Sequence, residues 1–160
     1  MIKTVFIIVP SASDESPIKG AAALANSLPK KVKVVFISLK HSSNDFELLN
    51  KDINHISLEP YSWVNKIKYI KQLLKHSGNR KEVATISSSF SADILNSFLF
   101  KHAITCSSVR GNLPLNYKDT YGKVGRLIAF IHLKRLRNFD HIVSMTLSMS
   151  KQVHAYTKRD

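Results

Sequence analysis

One rhythm constrains this chain more than any other feature. Short apolar runs rich in β-branched residues alternate with segments of helical periodicity. The apolar runs are Thr4 to Val9, Val32 to Leu39, a weaker Ile53 to Leu58, Val83 to Ser87, Ala103 to Val109, and Asp140 to Met145. Strands separated by helices cannot form hairpins; they pair in parallel, with the helices crossing over the sheet faces. The first run is apolar throughout, which suits a strand covered on both sides. The opening MIKTVFIIVPSAS also has the outline of a short signal peptide, but its apolar core is at the short limit for one, so a buried strand is expected.

Helices are expected between the strands. Pro17 suits the first turn of a helix to Leu28, with Ala21, Leu24, Ala25 and Leu28 on one face. Ser62 to His76 carries the stripe Trp63, Ile67, Ile70 and Leu74, with Lys68, Lys71 and Lys75 on another side and Gly78 and Asn79 as the stop. Ser91 is the expected cap of a helix to Lys101, with Asp93 near its positive end. Tyr121 to Asn138 is the expected longest helix and Leu147 to Tyr156 the last. The polar stretch His41 to Asn54 is expected to be irregular, with a helical turn at Phe46 to Leu49. A length of 160 residues suits one domain. The expected fold is therefore α/β: a Rossmann-like, doubly wound, mostly parallel sheet of about six strands with helices on both faces. Its ligands would bind at the strand carboxyl ends, after Val9, Leu39, Ser87, Val109 and Met145.

Several chemistries lack their motifs. No GxGxxG or Walker A sequence follows a strand, so an ordinary dinucleotide or P-loop site is not supported. No GxSxG and no HExxH occurs, and no metal site is expected. Cys106 is the only cysteine, which excludes an intrachain disulfide and a cysteine zinc site and fits a reducing cytosol. No segment approaches the about 20 apolar residues of a membrane span.

The candidate ligand residues follow the strands. After the fifth run comes SSVRGNLPLNY. Arg110 offers a planar fork of donors for phosphate or carboxylate, Gly111 permits an unusual backbone angle and close ligand approach, and Asn112 both donates and accepts. The competing role for Arg110 is an ion pair with Asp119 or Asp140. After the fourth run, SSSFSAD offers hydroxyls, Ser89 among them, either to a polyol or as turn formers and caps. After the first run, a helix starting near Pro17 offers its N–H groups to an anion with help from Ser16 and Lys19, or is simply capped. His132 reads as a packing residue.

Charge narrows the partners. Lys and Arg total 24 against 11 Asp and Glu, a formal net of +13, which attracts anionic surfaces. In the longest helix Val124, Leu127, Ile128 and Ile131 form one apolar face, while Lys123, Arg126, Lys134 and Arg137 gather on another around Phe130. Such a helix is either a core helix with a solvated side or one that lies on an anionic membrane surface.

The ordered segments SPIKGAAALANSL, KVKVVFISL, SSSFSADILNSFL and RLRNFDHIVSMTLSMSKQV together resemble the N-terminal domain of a glycosyltransferase of GT-B architecture, family 4. Leu24-Ala25-Asn26 matches the end of that family's first helix, and Asp140 precedes its closing strand and serine-bearing turn. The resemblance implies an acceptor-binding domain of a bacterial enzyme acting on a surface polysaccharide or lipid-linked glycan at the inner membrane face. It implies that a nucleotide-sugar donor binds mainly to a C-terminal domain, in cis or as a separate chain, so that this domain holds no cofactor and transfers no sugar alone. Arg110, Asn112, Tyr117 and Tyr121 would orient the acceptor, with Ser89 and Lys19 assisting. Lys68, Lys71, Lys75, Lys123, Arg126, Phe130, Lys134 and Arg137 would meet the anionic membrane. Two features depart from the family: Glu15 and Ser16 stand where its first-helix glycines are found, and Arg110 stands where a histidine often ends the fifth strand. An arginine stays charged and binds anions; it does not act as a base. Two alternatives remain. One is a non-enzymatic basic module for nucleic acid, although no helix-turn-helix, zinc-finger or single-strand pattern supports it. The other is a small α/β enzyme using a different nucleotide.

Overall fold

The computed structural model describes residues 1–13, 15–40 and 48–157. The helical turn expected at Phe46 to Leu49 falls partly outside them. Six strands form one sheet in the order β3-β2-β1-β4-β5-β6, every neighbouring pair parallel. They are β1 (Thr4–Val9), β2 (Lys33–Ser38), β3 (Asn54–Ser57), β4 (Val83–Ser87), β5 (Ile104–Val109) and β6 (His141–Ser144). The central β1 is buried along all six residues, as an uninterrupted apolar run requires. The two outermost strands, β3 and β6, have only four residues each.

The helices cover both faces, as the alternation demands. Val5, Ile7 and Val9 pack on Ile18, Ala21, Ala22 and Ala25 of α1 (Ser16–Ser27), where the small alanines let the helix lie close. Leu24, expected on that face, is 36% exposed, and Ile18 takes its place. Phe6 and Ile8 point the other way. They pack with Ile70 and Leu74 of α2 (Trp63–Ser77) and with Ala92 and Leu95 of α3 (Phe90–Asn96). Val109, Phe139 and Val153 close a third cluster with Leu113, Leu133 and Leu136, from α4 (Leu113–Leu136) and α5 (Leu147–Thr157).

Two helices depart from expectation. The cap of α3 is Ser89 rather than Ser91, and the helix stops at Asn96, well before Lys101. Asn96 turns its amide into the sheet, where it binds Thr85, Ser87 and the Cys106 carbonyl, and Ser97 Oγ donates to the Ile94 carbonyl. Such local bonds compete with helix continuation. In the other case α4 begins eight residues early. Asn112 caps it by accepting from Leu115 N at 3.1 Å, and proline occupies its first turn.

The early start creates a fold-back. At Gly122 the backbone takes φ 58°, ψ −133°, which breaks α4 into two arms, residues 113–121 and 123–136. This conformation belongs to glycine. In a straight helix Tyr117 and Gly125 would be about 12 Å apart. Here a methyl placed on Gly125 would overlap the Tyr117 carbonyl, so the arms lie backbone to backbone.

At the other end of the sheet, Asp140 joins β5 to the start of β6. Its carboxylate accepts from Thr105 N at 2.8 Å, from Thr105 Oγ1 at 3.1 Å and from Arg80. Burial alone would raise its pKa, but the Thr105 and Arg80 bonds outweigh burial and hold the carboxyl below its ordinary value. The stability it contributes is present above the unfolded carboxylate pKa and is lost as pH falls through the folded one. Asp140→Asn should lower stability at pH 7 by about 1–3 kcal/mol. It should also flatten the loss of urea resistance in wild type below about pH 4. Equal acid sensitivity in both proteins would show that other carboxylates set the acid limit.

Candidate functional site

The strand order reverses between β1 and β4, and a cleft of about 420 Å³ opens there at the carboxyl ends of the strands. Pro17 opens α1 on one side, and Lys40 comes from the turn after β2. Ser88 and Ser89 leave β4; Ser108 to Gly111 end β5; Tyr117 and Tyr121 stand on the first arm of α4. Asp93 and His132 form part of the wall.

Arg110 ends β5 with its guanidinium laid against α1, in the space a side chain on Gly20 would fill. Glycine there is what allows the close approach. Asp140, a partner considered for Arg110, is bound by Arg80 instead. Among the described residues Arg110 makes no ion pair, and its Nε is buried without a hydrogen bond. Ser88 is 5% exposed, and its Oγ is likewise buried and unbonded. Unsatisfied buried donors are uncommon and costly, which marks this corner of the cleft. Next to it Ser89 holds φ 77°, ψ 156°, the one positive φ outside glycine among the described residues. That region is disfavoured for a residue with a side chain, and such strain gathers at binding sites.

Part of the wall is backed by a buried hydrogen-bonded series. Thr85 Oγ1 donates to Asn96 Oδ1 at 2.6 Å, and Asn96 Nδ2 donates to Ser87 Oγ at 2.9 Å. Ser87 Oγ donates to Asp93 Oδ1 at 2.6 Å. His132 Nε2 lies 2.8 Å from Asp93 Oδ2, and His132 Nδ1 lies 2.8 Å from Tyr117 Oη. An ionised carboxylate only accepts, so Nε2 carries a proton. In the neutral ring Nδ1 is then a lone pair, and the Tyr117 hydroxyl donates to it. Phe90 sets its ring edge-on against both Tyr117 and His132, at 6.0 and 5.5 Å between centroids, and fixes their orientation. Burial first, then the Asp93 and Tyr121 charges, push the Tyr117 pKa well up, so its hydroxyl stays protonated. Burial and Asp93 likewise push the Cys106 thiol up to about 11, which leaves it a poor nucleophile.

The residues singled out in the sequence divide. Arg110, Gly111, Tyr117, Tyr121 and Ser89 line the cleft. Asn112 does not: its Oδ1 caps α4 and accepts from Gln152 Nε2 at 2.7 Å, and it faces a separate groove. Lys19 is exposed on α1 and outside the cleft lining. Gly111 serves close packing rather than an unusual backbone angle. Its φ is not positive, and a methyl there would overlap Asn116 Nδ2. Lys40, Ser88, Asp93 and His132 are cleft residues that the sequence did not single out, or gave other roles. Asp93 sits 1% exposed in the hydrogen-bonded series rather than at an open helix end, and His132 both packs and binds.

The basic helices also need revision. The apolar face read in the longest helix is not a core face: Val124 is 62% exposed, Leu127 59% and Ile131 40%. The buried side is Gly125, Ala129, His132, Leu133 and Leu136, because only a small-residue face can meet the folded-back arm. Phe130 is also exposed, as are Lys123, Arg126, Lys134 and Arg137. Between the two arms and α5 runs a groove of about 550 Å³ with Leu115, Phe130, Leu133 and Tyr156 as apolar lining and Lys118 and Arg126 as cations. On α2, Lys68 and Lys75 are exposed and Lys71 is half-buried. Lys71 and Lys75 stand near Lys101 and His102, whose pKa is lowered by burial and then by the three lysines. No helix among the described residues is long and apolar enough to cross a membrane. No cluster of three or more metal-ligating side chains occurs among them. No protein-family model matches the chain, and no curated protein matches it.

Proposed function

We propose that this is the acceptor-binding domain of a glycosyltransferase that works at the cytoplasmic face of an anionic membrane. The carrying observation is a polar cleft at the strand carboxyl ends, rich in hydroxyls and cations, in a sheet that reverses order beside it. Hydroxyls, a guanidinium and aromatic rings are the groups that hold sugars. The acceptor would be a surface polysaccharide or lipid-linked glycan, oriented by Arg110, Tyr117, Tyr121 and Ser89. The nucleotide-sugar donor would bind mainly to a second domain, in cis or as a separate chain. Thermal-shift titration tests the cleft. Neutral or phosphorylated sugars should raise the melting temperature, and free nucleotides should not. Stabilisation by nucleotides alone would transfer the cleft to a small nucleotide-using enzyme.

The membrane half rests on a different observation. Apolar Val124, Leu127, Phe130 and Ile131 project among Lys123, Arg126, Lys134 and Arg137, so one outward face of α4 offers both apolar contact and positive charge. Vesicles containing phosphatidylserine should co-sediment the protein at low salt and release it at high salt. Leu127→Glu with Phe130→Glu should cut binding at least about tenfold, since two apolar contacts are lost and two repulsive charges gained. Indifference to the vesicles at low salt would remove the membrane from the proposal. A salt-sensitive shift with random RNA or DNA in its place would favour the nucleic-acid module.

A further inference from the structure

The cleft lining holds two chemically different sets of groups, and together they specify a ligand class. This inference rests on the reading of the cleft as an acceptor site and narrows what that acceptor carries.

In the first set every group can donate. Arg110 has no carboxylate partner among the described residues, and its Nε is buried without a bond. The Ser88 hydroxyl is buried and unbonded, and Lys40 contributes a second cation. Asp93, the acid among the lining residues, offers nothing to compete. Both its oxygens are occupied, Oδ1 by Ser87 and Oδ2 by His132, and the residue is 1% exposed. A cluster of unmatched donors calls for a ligand group that only accepts and carries negative charge, and a phosphate does both.

In the second set the polarity is reversed. With Asp93 accepting from His132 Nε2, the neutral ring has only a lone pair at Nδ1, which accepts the hydrogen bond from the Tyr117 hydroxyl. With its proton engaged, Tyr117 Oη has only lone pairs left for the cleft. It therefore selects a ligand that donates, and a sugar hydroxyl does so. The neighbouring Tyr121 ring, 6.3 Å from that of Tyr117 between centroids, extends the aromatic wall.

We propose that the cleft binds a phosphorylated sugar, its phosphate on Arg110, Lys40 and Ser88 and one hydroxyl donating to Tyr117. The phosphate can belong to a free sugar phosphate or to a residue within a glycan chain. Calorimetry on the whole chain tests this with glucose, galactose, mannose and N-acetylglucosamine, their 6-phosphates, and inorganic phosphate. At least one 6-phosphate should bind about tenfold or more tightly than both its neutral sugar and inorganic phosphate. Arg110→Gln should remove that advantage. Ser88→Ala, which deletes one unbonded hydroxyl and no charge, should weaken the 6-phosphate while leaving the neutral sugar unchanged; it also serves if Arg110→Gln does not fold. Tyr117→Phe should reduce the sugar phosphate to the level of inorganic phosphate and leave the latter unchanged. The methyl glycoside of the best 6-phosphate then separates the sources. Binding equal to the parent indicates a chain-linked residue, and a loss of about tenfold or more indicates a free sugar phosphate. Neutral sugars that bind as well as their phosphates, unaffected by Arg110→Gln, would overturn the phosphate assignment and leave the acceptor reading standing. Silence from every sugar, neutral or phosphorylated, would overturn both.

Discussion

Asp93→Ala is expected to cost this protein about 3–5 kcal/mol, while Asp93→Asn costs only about 1 kcal/mol. The difference follows from atoms. Removing the carboxylate leaves His132 Nε2–H without an acceptor, and Ser87 with only the long 3.5 Å contact to the Cys106 carbonyl, in a site that water cannot reach, since both His132 and Asp93 are 1% exposed. The amide keeps nearly everything. Its oxygen can accept from His132 Nε2, and its nitrogen can donate to Ser87 Oγ, whose own proton then turns to the Cys106 carbonyl at 3.5 Å. Domains of this size have about 5–15 kcal/mol of stability in all, so Asp93→Ala should be partly unfolded at 37 °C and Asp93→Asn should not. Urea titrations followed by circular dichroism at pH 7 give both values. If the alanine variant were as stable as the asparagine variant, the series Ser87–Asp93–His132–Tyr117 would contribute nothing to the fold.

Gly125→Ala should be the most damaging of the glycine-to-alanine changes. The added carbon would meet the Tyr117 carbonyl and the Lys118 amide nitrogen, and backbone cannot rotate away as a flexible side chain can. The arms of α4 must separate, at a cost of about 2–4 kcal/mol, the upper range for overpacking. Separation also pulls Tyr117 from His132, so the near-ultraviolet tyrosine signal should change at urea concentrations where the backbone is still folded. Gly122→Ala makes a useful comparison. A methyl there meets nothing within 4 Å, and its penalty is purely conformational, about 1–3 kcal/mol. A Gly125→Ala protein as stable as wild type would mean that the arms are not in contact.

The sheet was readable because its strands are continuous apolar runs. Thr4 to Val9 and Val83 to Ser87 match the structure residue for residue, since nothing in them favours another state. The start of α4 was not. Asn112 and Pro114 are a cap and a first-turn proline, yet Tyr-Lys-Asp followed closely by Gly122 reads as a loop, and only tertiary contact at Gly125 stabilises the first arm. The same hidden fold-back inverted the reading of the second arm, whose more apolar stripe faces outward. Within the cleft lining, Arg110 and Ser89 were legible from their place after strands, while Tyr117 and Tyr121 came only from the family resemblance. His132 and Asp93 were not, because they are 39 residues apart and no local spacing announces the pair. Asn112 could be read as polar and near the site but not as a cap, because that role depends on the helix that follows.

The short outer strands have a consequence of another kind. Any sheet with open edges can recruit further strands from other molecules, and long flat edges seed aggregates. Here β3 and β6 offer four residues each, against six in β1, β2 and β5. Their sequences, NHIS and HIVS, include histidine and serine rather than an unbroken run of aliphatic residues. A newcomer would find little ladder to extend, and two molecules of charge +13 repel as they approach. The amyloid-like segments TVFIIV and KVVFIS are thereby kept in the interior of the sheet, with a neighbouring strand on each side.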